Sequence, residues 1–206
     1  MQQEQQPVPE KMELAAGSAL PPTQKIVFSK TLTKQHQASK NPGDEARIQA
    51  LYFNGQPLID IRRWAYNYRN ELVPTKKGIS LPLVRWVQLL EQAEFIDGLM
   101  EKIKSGATVD EKLPIGGPVI LKMCSPFWTV HIREYYKDVK TGDVRPTRSG
   151  IILKHSEWKV LLDQVNEIQR QMPEIEKTEP CYLRLDHSNQ EGMLSCPECS
   201  PWTFDD

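Results

Sequence analysis

Residues 47–104 and 115–172 read as two copies of one unit, and a duplication of this kind commits the chain to a tandem architecture. Copy one carries Leu58-Ile59-Asp60-Ile61-Arg62-Arg63-Trp64, then Pro74-Thr75-Lys76-Lys77-Gly78-Ile79-Ser80-Leu81, then Trp86. Copy two carries Thr129-Val130-His131-Ile132-Arg133-Glu134-Tyr135, then Pro146-Thr147-Arg148-Ser149-Gly150-Ile151-Ile152-Leu153, then Trp158. Pro74 and Pro146, Gly78 and Gly150, and Trp86 and Trp158 are each 72 residues apart. Arg62 and Arg133 are 71 apart, so copy two holds one extra residue in the intervening hairpin.

Each copy predicts short strands followed by a helix. Ile48–Phe53 faces Pro57–Arg63 across Asn54-Gly55-Gln56, a hairpin signal because Asn-Gly tolerates positive φ. Alternation puts Ile59 and Ile61 on one face and Leu58, Asp60 and Arg62 on the other. A third strand is expected over part of Trp64–Val73, interrupted around Tyr68-Arg69-Asn70, and a fourth over Lys77–Leu81. Pro82 suits the first turn of a helix. Trp86, Leu89, Leu90, Ala93, Ile96 and Leu99 then recur at helical spacing to about Lys104. Copy two repeats the plan, and its helix carries Trp158, Leu161, Leu162, Val165, Ile168 and Met172 before Pro173. The two tryptophans read as core. Each helix shows one apolar stripe, which needs a sheet or another helix to cover it. Residues 105–112 between the copies can extend to about 26–29 Å, enough for the copies to pack on each other.

Composition narrows the class. The 206 residues are 39% hydrophobic with a mean hydropathy of −0.53, and no run approaches a membrane span. The opening Met-Gln-Gln-Glu-Gln-Gln lacks the basic and apolar regions of a secretion signal. Cysteines at 124, 181, 196 and 199 are too sparse for a disulfide framework, which favours a reducing compartment. Net charge is −1. It is unevenly spread: residues 47–81 hold six Lys/Arg against two acids, residues 117–153 six against three, and residues 174–206 two against eight. Basic repeats are thus offset by an acidic tail. Residues 1–46 form a Gln/Pro-rich head expected to be disordered, with a candidate short strand at 25–33.

The quoted motifs resemble the C-terminal domain of positive cofactor four. That family comprises RNA polymerase II transcriptional coactivators that bind single-stranded DNA. The resemblance covers about 120 residues in two tandem copies. It implies an α+β fold with four antiparallel strands and one helix per copy. It further implies an intramolecular pseudo-dimer with disordered ends. The expected layout is a head at 1–46, repeat one at 47–104, a linker at 105–114, repeat two at 115–173 and an acidic, Cys-containing tail at 174–206.

By the same resemblance, Phe53, Arg62, Lys76 and Lys77 in copy one match nucleic-acid-binding positions. Arg133, Tyr136, Arg145 and Arg148 match in copy two, with Trp128 beside a stacking position that falls on Cys124. Copy one is depleted, because Asn54, Gln56, Ala65 and Val73 stand where the family is basic or aromatic. The copies therefore look complementary, and a single composite strand-binding surface is expected. Cations that track phosphates and rings that stack on bases are what such binding requires. His131, on the face of Arg133, is a candidate phosphate contact below about pH 6.5.

These readings make the chain a nuclear, single-stranded DNA-binding coactivator-like protein. Its expected partners are single-stranded DNA or RNA and proteins of the transcription machinery, with no membrane. The alternative is a protein-interaction scaffold on the same fold with decayed nucleic-acid binding. No nucleophile–base pair or phosphate-cradling glycine loop is present, so no enzyme is expected. No resident cofactor is expected either. Cys196-Pro197-Glu198-Cys199 is nevertheless half of a zinc knuckle, and Cys181 and His187 are an irregular other half. Zinc on those four residues is the alternative to a metal-free tail.

Overall fold

The computed structural model describes residues 23–33, 45–187 and 189–202. The expected disorder of the head, 1–46, therefore lies outside the described residues except at 23–33 and 45–46, which are strand for most of their length. Two four-stranded antiparallel sheets are present, each in simple sequence order. The first holds β1 (Gln24–Thr31), β2 (Glu45–Phe53), β3 (Gln56–Tyr66) and β4 (Leu72–Pro82). It is followed by α1 (Leu83–Glu91) and α2 (Ala93–Lys104). The second holds β5 (Asp110–Pro114), β6 (Val119–Cys124), β7 (Thr129–Lys137) and β8 (Val144–Lys154). It is followed by α3 (His155–Asp163) and α4 (Val165–Gln171).

The local chemistry accounts for most of this. Asn54 and Gly55 both take positive φ, 49° and 79°, which matches the twist of a two-residue hairpin. The extra residue of copy two sits where the offset requires: residues 67–71 join β3 to β4, and residues 138–143 join β7 to β8.

Four features differ from the sequence expectation. The first strand of sheet one is the 24–31 segment, which pairs along β2 and so belongs to the sheet, not to the head. β3 and β4 are each long and unbroken, so the predicted third and fourth strands merge into the ends of these two. Asp110–Pro114, expected as linker, pairs with β6 as the outer strand of sheet two. Each unit also has two helices instead of one. Both break at a glutamine, Gln92 and Gln164, again 72 residues apart. At each break the glutamine N–H bonds three residues back, to Leu89 O (3.2 Å) or Leu161 O (3.0 Å), which tightens the last turn.

The two units share one hydrophobic core. Trp86 and Trp158 are fully buried in it, with Ile59, Ile61 and Ile79 from sheet one and Val130, Ile132 and Ile151 from sheet two. The Trp158 indole N–H donates to Asp97 Oδ1 of α2 (3.0 Å), so a helix of unit one satisfies a core donor of unit two. A buried ion pair joins the units more firmly. Arg63 of β3 donates to both oxygens of Glu157 in α3 (2.7 and 2.8 Å) and to Ile152 O (2.5 Å). The carboxylate also accepts from Thr33 Oγ1 (2.7 Å) and from the Lys154 N–H (2.9 Å). All four acceptor directions of Glu157 are thus used, which is what a charge 1% exposed requires. Burial pushes the Glu157 pKa up, but the bonds from Arg63, Lys154 and Thr33 outweigh it and hold the pKa below its ordinary value.

The expectation of disordered ends does not extend to residues 174–187 and 189–202. These form short 3-10 turns at Pro173–Lys177, Cys181–Leu183 and Leu185–His187, then α5 (Gln190–Leu194). The body supplies partners that the tail's own composition lacks. Tyr52 donates to Glu174 (2.7 Å), Tyr182 to Glu91 (2.8 Å), and Arg85 bidentately to Glu198 (2.7 and 2.8 Å). No described helix is long and apolar enough to cross a membrane.

Candidate nucleic-acid interface

The two sheets build the same device from the Arg and Gly of the repeat. In β3–β4, Arg62 pairs with Gly78 and Trp64 with Pro74, so Thr75, Lys76 and Lys77 bulge out of register. In β7–β8, Arg133 pairs with Gly150 and Tyr135 with Pro146, which extrudes Thr147, Arg148 and Ser149. Glycine is needed because the arginine stem crosses it: a Cβ on Gly78 would lie 2.7 Å from Arg62 Cγ, and one on Gly150 2.9 Å from Arg133 Cβ. Each guanidinium then reaches the bulge, donating to Thr75 O (2.9 Å) or Thr147 O (2.7 Å). The threonine hydroxyl donates back to the facing strand, at Arg63 O (2.8 Å) or Glu134 O (3.0 Å). The basic side chains of the bulges are therefore held outward on an anchored backbone. Lys76, Lys77 and Arg148 are exposed and have no carboxylate partner among the described residues.

The face of sheet one turned away from the core is a groove of about 520 Å³. Leu51, Phe53, Leu58, Trp64 and Pro74 give it apolar walls, and Arg62 and Asp60 lie along it. Phe53 is 42% exposed, so its ring is open to a stacking partner. Arg47 lies over the Trp64 ring, 5.1 Å from its centre. The Trp64 indole N–H is buried without a hydrogen-bond partner. Asp60 compensates Arg62, accepting from it at 2.7 and 3.1 Å and from Ser80 at 2.7 Å. The groove is lined by unit one alone.

The corresponding face of sheet two is arranged differently. His131 stands in the place of Asp60, paired across the strands with Lys122 and Ile152. Arg133 has no carboxylate partner among the described residues. Burial first, then the charges of Arg133 and Lys122, lowers the His131 pKa from its ordinary value. That shift disfavours the charged form that a phosphate contact from His131 would use. Tyr136 is exposed at the end of β7, opposite Arg145. Arg145 is bound to Asp138 (3.2 Å) and Asp143 (3.1 Å). Trp128 is stacked on His155, with ring centres 4.0 Å apart and planes within 7°, so one of its faces is already covered.

Residues 40–92 and 127–164 match the family model for Transcriptional Coactivator p15 (PC4). One p15 (PC4) segment falls in each unit, from β2 into α1 and from β7 into α3. The chain thus resembles that family twice over. A Drosophila melanogaster protein described as an RNA polymerase II transcriptional coactivator is 43% identical over 55 residues, 27% of this chain. The match spans about half (49%) of that relative's length.

Within the first p15 (PC4) segment, Phe53 and Arg62 meet in one groove, with Lys76 and Lys77 on the adjoining bulge. In the second, Arg133, Arg148, Tyr136 and Arg145 share one strand pair, and Trp128 lies apart against His155. Sequence reading missed Trp64, although alternation carried two residues past Arg62 places it on the same face. It also missed Tyr66 and Tyr68, 49% and 88% exposed, beside Arg69 at the tip of the β3–β4 hairpin. Their signal was a run of two tyrosines and an arginine within a polar turn.

A second cluster lies outside both p15 (PC4) segments. The sulfurs of Cys181, Cys196 and Cys199 all lie within 4.8 Å of one another. Burial works to raise the Cys196 pKa, but the neighbouring His187 imidazole and the Cys199 and Glu198 N–H groups bring it down to about 7. Burial and the adjoining Cys181 thiol push Cys199 up to about 12.

Proposed function

We propose that this chain is a transcriptional coactivator-like protein that binds single-stranded nucleic acid, DNA before RNA, and acts in the nucleus with proteins of the transcription machinery. The observation that carries this reading is the groove on sheet one. It holds an exposed ring, Phe53, beside the partly exposed Trp64, and the adjoining bulge holds Lys76 and Lys77 outward. Bases would lie against Phe53 and Trp64, and phosphates along the two lysines. On sheet two, Arg133, Arg148 and Tyr136 would extend the path. The matches to the p15 (PC4) family and to the Drosophila coactivator support the assignment. The scaffold alternative is favoured by the internal pairing of Arg62 and Arg145, which leaves fewer cations for phosphate than the sequence suggests.

Fluorescence anisotropy with single-stranded and duplex oligonucleotides tests the proposal. Single strands should bind more tightly, and affinity should fall with log[salt] at a slope of about −0.7 per phosphate neutralised. Phe53→Ala and Trp64→Ala should each cost about 1–3 kcal/mol of single-strand affinity. Absence of single-strand binding at about 50 mM salt, where such electrostatic contacts are strong, supports the scaffold instead.

A further inference from the structure

We infer that Cys181, His187, Cys196 and Cys199 form a structural zinc site that fastens the tail to the body. Three sulfurs converge from two separate places, the turn at Cys181–Leu183 and the loop that follows α5. Around a tetrahedral zinc with Zn–S bonds of about 2.3 Å, sulfurs sit roughly 3.8 Å apart. The spread here brackets that value, from 3.2 Å between Cys181 and Cys199 to no more than 4.8 Å. Small side-chain rotations bring all three onto one ion.

The fourth ligand is His187, which lies beside Cys196. Its side chain is buried, 8% exposed as a residue, and its Nε2 has no hydrogen-bond partner. Nδ1 is engaged by Asp186 Oδ1 at 3.0 Å. A carboxylate on one imidazole nitrogen fixes the ring and leaves the other nitrogen to the metal. The cluster also has N–H donors for its sulfurs, Gln88 Nε2 to Cys181 Sγ (3.5 Å) and the Cys199 and Glu198 backbone to Cys196. A set of three thiolates and one imidazole selects zinc among common divalent ions.

The tail also needs such a staple. Tyr182, Leu183, Leu185, Met193 and Leu194 are all about half exposed or more. Turns this short, with so little apolar surface buried, do not hold themselves together. Glu198, inside the Cys196–Cys199 loop, grips Arg85 of α1, and its carbonyl accepts from the Gly117 N–H in the turn between β5 and β6 (2.9 Å). Zinc would therefore fix a loop that touches both units.

The test uses the full chain, purified with reductant and without chelator. Elemental analysis should find one zinc per chain. Cys199→Ser and His187→Ala should lose most of it, His187→Cys should keep it, and Cys124→Ser, outside the cluster, should not change it. Cobalt(II) loaded in place of zinc should give the intense visible bands of a tetrahedral thiolate site. Alkylation should modify Cys124 alone until a chelator exposes the other three thiols. Near-ultraviolet dichroism from the buried tryptophans reports the body's fold separately, so metal loss is not confused with unfolding. The proposal is overturned if the wild type holds no zinc and all four thiols react freely, if a Cys181–Cys199 disulfide forms in place of metal, or if zinc persists in Cys196→Ser/Cys199→Ser.

Discussion

Matching arginines stand in opposite surroundings in the two sheets. Arg62 is tied to Asp60, whereas Arg133 has His131 beside it and no carboxylate partner among the described residues. Unit one therefore offers an apolar, ring-lined groove whose cation is compensated. Unit two offers an uncompensated cation with fewer rings around it. The interface between the units shows the same divergence. Arg63 of unit one meets Glu157 of unit two in the core. The matching positions are Glu134 and Arg85, the same pair with its signs exchanged, and Arg85 bonds instead to Glu198 of the tail. Two copies in one chain need not stay alike, because each position is encoded separately. Here the separation has gone into charge, while the backbone device of bulge, arginine and glycine stays common to both.

The largest expected effect lies at the interface. Glu157→Ala leaves a buried guanidinium without its counter-charge and should cost about 3–5 kcal/mol in denaturant unfolding. Arg85→Ala should cost less, about 1–2 kcal/mol, because Glu198 keeps some contact with water. Equal losses would mean the two pairs are equivalent after all. The same contrast has a pH signature. The Glu157 pKa is lower in the fold than its ordinary 4.5, so its contribution is fully present above that value. It should be lost as pH falls through the lower folded-state pKa. Melting temperature measured from pH 6 to pH 2 should show this loss in wild type and not in Glu157→Gln.

Smaller effects separate the outer faces. Asp60→Asn releases Arg62 and should steepen the salt dependence of single-strand binding by about 0.7. His131→Asp supplies the missing acid and should flatten it by a similar amount. No change from either would show that neither arginine reaches phosphate. Because the His131 pKa is lowered, any gain in binding from its protonation should develop as pH falls below 6.5.

The repeat was readable because Pro, Gly and Trp each answer to a local demand. Pro74 and Pro146 mark the bulge, Gly78 and Gly150 lie under an arginine stem, and Trp86 and Trp158 fill the core. Alternation also gave the faces of β3. What escaped was set by partners distant in sequence. Asp110-Glu111-Lys112 reads as a polar linker and becomes a strand only because β6 offers an edge to pair with. Thr33 donates to Glu157, 124 residues away, and Glu198 accepts from Arg85 across 113. Arg62 is legible as a cation, but its pairing with Asp60 on the same face depends on side-chain geometry that alternation alone does not give.

The connection between α2 and β5 is only Ser105–Val109. A tether that short keeps the halves at an effective concentration of about millimolar, whatever the amount of protein in solution. Dilution, which separates the partners of an ordinary two-chain assembly, leaves this pairing intact. A scarce protein of this design would keep its paired sheets without having to meet a second molecule.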